Sequence, residues 1–245
     1  MPTPDAWLLQ CFRIINCKSS RSTAVSTLES IPQPQPEALR EVLLAEGIEL
    51  AAEQLEPLDR YRRLLWAWNE RMNLTRHTTL EKFVGRDVVD SFQLAKHLER
   101  GERVLDVGSG GGVPGIVLAI LRPDLSMSLA ESTQKKARAL EEMVRDLDLN
   151  SPVYATRAEE VLEVKTFDAL VARALASLPK VLAWLAPHWD AFDRLLLIKG
   201  HSWVDERDEA RHQGLLRGLE LRKAATYRTR LTGAESVILK IWRPQ

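Results

Sequence analysis

The stretch VLDVGSGGGVPGIVLAI, Val104–Ile120, places five glycines and a proline between two apolar runs. Glycine loses more conformational freedom on folding than any other residue, so this density marks a backbone that turns sharply or is approached closely. An apolar run ending at Asp106, then Gly108, Gly110 and Gly112, then Pro114 before a second apolar run, reads as strand, turn and helix start. Such a turn offers backbone N–H groups at a helix start to a ligand. Two phosphate motifs are excluded by spacing. Counted from Gly108, the glycines fall at positions 1, 3, 4, 5 and 8, and Val113 occupies the sixth, so the dinucleotide fingerprint is absent. No Gly-Lys-Ser/Thr closes the turn, so it is not a P-loop.

Working outward, RVLDVG, MSLAES, PVYATR, FDALVAR and RLLLIKG are short apolar runs, and helical patterns over 114–122, 133–147, 177–187 and 203–219 separate them. Strands alternating with helices predict a mostly parallel sheet with helices on both faces, an α/β fold. LRKAATYRTR and SVILKIWRP have no helix between them and predict a closing antiparallel pair, seven strands in all. Upstream, Leu55, Leu58, Tyr61, Leu65, Trp68 and Met72 recur at helical spacing. With helical runs on either side they predict a helical cap over 37–100, ahead of a main domain over 101–245. Residues 1–36 end in IPQPQPE and read as a leader and linker.

The acids after the strands narrow the ligand. Glu131 follows the second strand, 23 residues after Gly108, where a carboxylate accepts hydrogen bonds from both ribose hydroxyls. Ala158 and Glu159 follow the third, where an N–H and a carboxylate can grip an adenine edge. Asp106 beside the turn repels a pyrophosphate but tolerates an ammonium and a sulfonium. S-adenosylmethionine therefore suits the set better than a dinucleotide. The plainer alternative is that Asp106 orders the turn and Glu131 caps the next helix.

The whole chain sets outer bounds. No apolar run among its 245 residues approaches the roughly 20 needed to cross a bilayer. The two cysteines, Cys11 and Cys17, lie in the leader, which fits a reducing cytoplasm and leaves the body without a thiol nucleophile. Five scattered histidines lack ligand spacing, so no metal is expected. Net charge is zero, yet residues 60–76 carry Arg60, Arg62, Arg63, Arg71 and Arg76 against Glu70, a net +4. Residues 211–230 carry a net +5. Each is either a solvated face or part of a surface for an anionic partner.

WNERMNLTR, VVDSFQLAKHL, the glycine stretch, RAEE, VARALASL and LLLIKG stand in an order and spacing that resembles the ribosomal RNA small-subunit methyltransferase G family, also called glucose-inhibited division protein B. The resemblance covers about residues 37–242. It implies a class I S-adenosylmethionine-dependent methyltransferase fold, Rossmann-like, and N7 methylation of one guanosine in the decoding-region loop of 16S rRNA in the small ribosomal subunit. Carried over by motif, Gly108, Val113, Ala158, Glu159 and Arg173 match the family's cofactor contacts. Arg173 pairs with the methionine carboxylate, with an RNA phosphate or, structurally, with Glu159. Arg60, Arg63, Asn73, Arg76, Arg86 and Lys199 are candidates for the RNA-facing rim. Family members commonly carry Arg-His before the DS motif, whereas Asp87 follows Arg86 here and sets a negative charge at that place.

The residues bear on the acceptor too. Methyltransferases of exocyclic amino groups usually carry Asn/Asp-Pro-Pro-aromatic after strand four, where this chain reads Val171-Ala172-Arg173-Ala174. Pyrimidine C5 chemistry requires a thiolate. Guanine N7 has an in-plane lone pair and no proton to remove, so alignment suffices. A monomeric cytoplasmic enzyme is expected. A class I methyltransferase acting on a small molecule or protein, and a non-catalytic ribosome-assembly factor, remain open.

Overall fold

The computed structural model describes residues 31–244; the expected leader lies almost wholly outside them. Pro36, the end of the proline-spaced segment, already begins the first helix. Three helical regions precede the sheet: α1 (Pro36–Ala45), α2 (Ala52–Asn69), and a run made of α3 (Leu80–Lys82), a π-helical turn (Phe83–Val88) and α4 (Val89–Ala95). Then come β1 (Arg103–Val107), α5 (Gly115–Leu121), β2 (Ser126–Ala130), α6 (Gln134–Asp146), β3 (Val153–Tyr154) and α7 (Ala158–Leu162). The chain continues with β4 (Phe167–Arg173), α8 (Leu178–Leu185), β5 (Phe192–Lys199), α9 (Trp203–His212), β6 (Glu220–Arg228) and β7 (Glu235–Trp242).

One seven-stranded sheet results, ordered β3-β2-β1-β4-β5-β7-β6. All neighbours are parallel except β7, antiparallel to both β5 and β6. Near-continuous apolar runs such as Leu195–Ile198 are needed because the central strands are covered on both faces. On one face Leu105, Leu170 and Leu197 pack with α7, α8 and α9 through Val161, Leu182 and Ala210. On the other, Val104, Val171 and Leu196 pack with α4 and α5 through Leu94 and Leu118. The strand order reverses between β1 and β4, which opens a crevice at their carboxyl ends, where ligands of such sheets bind.

The helix expected over 203–219 stops at His212, where Gly214 and Gly218 adopt left-handed φ values of 73° and 72°. The cap is bonded to the turn and helix that follow β1: Tyr61 of α2 donates 2.8 Å to the Gly111 carbonyl, and Gln54 Nε2 donates 3.0 Å to the Leu121 carbonyl. Among the described residues no helix is long and apolar enough to cross a membrane.

Candidate active site

The glycine turn joins β1 to α5 at the crevice. Gly108, Gly110 and Gly112 all have positive φ, at 69°, 55° and 99°, a region side chains strongly disfavour. Ligand approach explains only part of this. A Cβ at Gly108 would lie 2.2 Å from Leu175 Cδ1, and one at Gly112 would lie 2.9 Å from Ile116 Cγ1. A Cβ at Gly115 would lie 2.9 Å from the Asp106 Cβ. With Gly111, whose Cβ would lie 3.2 Å from the Leu74 carbonyl oxygen, four of the five glycines make room for the protein itself. Gly110 differs: a Cβ there meets nothing closer than 3.8 Å, because it faces an open cleft.

Two acids hold this turn. Asp106 is buried, and its Oδ2 accepts 3.0 Å from Gly115 N, so the first amide of α5 is taken by the protein rather than offered to a ligand. Pro114 sits at the helix cap, one residue before its first turn. Asp106 Oδ1 has no hydrogen-bond partner among the described residues, and burial raises the carboxyl pKa to about 7. Glu131 bridges the turn to the next helix: Oε2 accepts 2.9 Å from Gly110 N, and Oε1 accepts 2.8 Å from Thr133 N. The capping and ligand roles expected as alternatives are thus compatible, since each oxygen retains acceptor capacity.

Two adjoining clefts meet at Gly108. The first is the more apolar, with Val107, Ala130, Leu175 and Trp184 around Ala158 and Glu159. The second opens about 860 Å³ over Gly110, Glu131, Lys136 and Arg173, closed on the cap side by Leu65 and Leu74. The residues present fit S-adenosylmethionine: the apolar slot with its carboxylate rim could take adenine, Glu131 between the clefts could take the ribose, and the polar compartment could take the amino-acid end. Gly110, where a Cβ would project into the compartment, leaves room there for the amino-acid end. The sequence did not single out Lys136, Leu175 or Trp184, since a helical lysine and two apolar residues carry no motif. Val113 lines the second cleft.

Arg173 ends β4 and lines that compartment, but its guanidinium is committed elsewhere than expected. Nη2 pairs with Asp87 at 2.7 Å, and Nη1 reaches Asp90 at 3.3 Å and the Arg86 carbonyl at 3.2 Å. Its structural partners are these acids, not Glu159. The π-helical turn gives Asp87 and Asp90 a common face toward Arg173, and such turns recur at functional sites. Tyr227 donates 2.7 Å to Asp90, while His77 Nδ1 lies 2.7 Å from Asp87. Burial raises the Asp90 pKa and Arg173 opposes that rise. Asp87, standing where the family commonly has histidine, is fully buried. It therefore places no charge on an RNA-facing surface, and its imidazole neighbour comes from the loop after α2. Ala174, next along, has φ 50°, an uncommon conformation for a residue with a Cβ and one that is concentrated at functional sites.

The remaining candidates divide by exposure. Arg60, Asn73 and Arg76 are exposed on the cap. Arg63 is not available in the same way: its Nε pairs with Asp59 at 3.1 Å, beside buried Arg62, which makes a 2.7 Å bond to the same carboxylate. Lys199 is also turned inward, its Nζ 2.6 Å from both Glu206 Oε2 and the Ala176 carbonyl. It ties the loop after β4 to α9, which corrects its expected role as a rim contact. Arg86 is half-buried in a third cleft. Asn69, overlooked in the sequence, shapes the loop after α2 by accepting 2.8 Å from both Leu74 N and Thr75 N. Among the described residues no group of three or more His, Cys, Asp or Glu is placed to hold a metal ion.

The sheet order, the antiparallel seventh strand and the glycine turn define a class I S-adenosylmethionine-dependent methyltransferase. A solved structure of a mutant MtNAS shares the fold, with TM-score 0.52 and 16% identity over 85% of this chain and 76% of that one. The family model for rRNA small subunit methyltransferase G matches residues 54–230, and the chain belongs to that family. The ribosomal RNA small subunit methyltransferase G of Rhodopirellula baltica is 56% identical over 74% of this chain and 78% of its own length. That of Cereibacter sphaeroides is 36% identical over 83% of this chain and 97% of its own. The protein is an S-adenosylmethionine-dependent rRNA methyltransferase.

Proposed function

We propose that the chain methylates N7 of a single guanosine in the decoding-region loop of 16S rRNA, acting as a cytoplasmic monomer on the small ribosomal subunit. The observation that carries this reading is the chemistry at the carboxyl end of β4. Where exocyclic amines are methylated, that place offers acceptors for the amino group; here it offers Arg173, which is permanently cationic and cannot take a proton. The nearby carboxylates are no better as bases, because Asp87 and Asp90 are buried and already bonded to Arg173. The two unpartnered carboxylate oxygens, Asp87 Oδ2 and Asp106 Oδ1, are buried and line neither cleft, and a cleft without a thiol or an open amine-binding turn suits an acceptor with nothing to deprotonate. When bound, S-adenosylmethionine supplies an electrophilic methyl group on a sulfonium, which a ring nitrogen takes with its lone pair while the C–S electrons remain on sulfur.

The protein's share of the work is alignment and charge. Leu65 and Leu74 wall the second cleft against water, and Gly110 leaves its floor open. Methylation turns a neutral purine into a cation. Asp87 and Asp90, anchored by Arg173 and Tyr227, are fixed negative charges set before the reaction, which favours the developing positive charge. Gly110→Val removes cofactor binding by filling the compartment, read by calorimetry; unchanged binding would overturn the cofactor assignment. To test the reaction, small subunits lacking the modification are incubated with the protein and labelled S-adenosylmethionine, then treated with borohydride and aniline. A single cleavage in the decoding-region loop is expected. Label without aniline-sensitive cleavage would move the acceptor away from N7.

A further inference from the structure

A third cleft of about 680 Å³ adjoins the cofactor compartment, and Arg173 and Ala174 line both. It lies at the carboxyl ends of β4 and β5, with Arg86 on the cap side and Ser236, at the start of β7, on the other. The charged groups around this cleft are accounted for, with one exception. Asp90 is held by Arg173 and Tyr227, and Lys199 and Glu206 hold each other. Arg86 is half-buried, yet its guanidinium makes no hydrogen bond or ion pair with any described residue. Its charge helps hold the Asp90 carboxyl down, and none of its nitrogens is a buried orphan, so these donors stand open in the cleft and available to a ligand.

Resting on the guanosine reading above, we propose that this cleft receives the acceptor nucleoside, unstacked from its RNA loop, and that Arg86 donates to guanine O6. The geometry of the base agrees. For N7 to reach the methyl group, the edge carrying N7 and O6 must enter where the two clefts meet at Arg173 and Ala174, and that edge presents acceptors only. Adenine presents an amino group in place of O6, so a guanidinium there selects guanine. Extrusion of a base into a protein cleft is the usual route to an atom that must meet a buried reagent.

Gly200 gives a clean test. It lines the third cleft, and a Cβ there meets no atom within 4 Å, so a side chain can be added without displacing anything. Gly200→Leu and Arg86→Gln are compared with the wild type for label transfer to unmodified small subunits, S-adenosylmethionine affinity and subunit affinity. For Gly200→Leu a fall of more than tenfold in kcat is expected, with both affinities within twofold. For Arg86→Gln a tenfold or greater loss in kcat/KM is expected, again with cofactor affinity kept. Turnover of both variants within twofold of wild type would overturn the proposal, as would a loss confined to subunit affinity, which would place the cleft in docking. Should Gly200→Leu lose cofactor binding through misfolding, Arg86→Gln decides alone. If wild type itself labels no rRNA, the guanosine reading fails and this inference falls with it.

Discussion

Two stretches of this chain look alike in sequence, residues 60–76 and 211–230, each rich in arginine and poor in acids, and the fold uses them in opposite ways. In the first, Arg62 is 1% exposed, and it converges with Arg63 on Asp59, which lies one residue outside the basic window. Arg62 also stacks 4.5 Å over the Trp66 ring. In the second, Arg222, Lys223 and Arg228 sit on β6 at the free edge of the sheet. Arg222 lies 5.1 Å over Trp242, and Lys223 lies 5.9 Å over Trp203. The first stretch is therefore partly an interior ion cluster that fastens α2, and the second is a solvent-facing cationic edge. A local charge count cannot tell them apart, because the counterion that decides the matter stands outside the window.

Breaking the inward cluster should give the largest effect. Asp59→Ala leaves two guanidiniums sharing a buried site without their carboxylate, and about 3–5 kcal/mol of stability should be lost, read by denaturant unfolding. A loss below 1 kcal/mol would show that water reaches Arg62. The next contrast lies between Asp59, fully partnered, and Asp106, whose Oδ1 is orphaned. Asp106 has a folded pKa of about 7, above the roughly 3.9 of an unfolded aspartate, so between those values the folded state holds a proton that the unfolded state has released. Its contribution to stability is then greatest below about pH 4 and is lost as pH rises toward 7. Asp106→Asn should flatten that part of the stability–pH curve; an unchanged curve would assign the dependence to other groups.

The outward stretch should respond in the opposite sense. Arg222→Gln with Lys223→Gln should change stability by no more than about 0.5 kcal/mol, as exposed substitutions do. If the β6 edge meets RNA phosphates, the pair should lower the slope of log affinity against log salt by about 1.5. Binding to small subunits across a salt series reads this directly, and an identical slope would remove β6 from the RNA surface. Smallest of all is Arg60→Gln on the exposed cap, expected to shift that slope by less than one without altering unfolding.

Much of the candidate site could be read because its residues line the crevice where they stand in the chain. The glycine turn, Glu131 after β2, Ala158 and Glu159 after β3, and Arg173 at the end of β4 follow strand ends, and strand ends are set by hydrophobic period and turn chemistry. The residues that were missed or misjudged depend on distant partners. Leu175 matters through its fit against Gly108, and Asn69 through two amides five and six residues on. Lys199 looked like a rim cation until Glu206 met it, and Asp87 looked like a surface charge until Arg173 and His77 closed over it.

The sequence by itself determined the alternating α/β order, the turn that begins the crevice and the class of ligand its acids select, because local spacing and residue chemistry carry that information. Only the tertiary structure decided which charges are spent inside the protein and which remain for a partner. That choice depends on burial and on partners brought together from far along the chain, such as Tyr227 and Asp90, 137 residues apart.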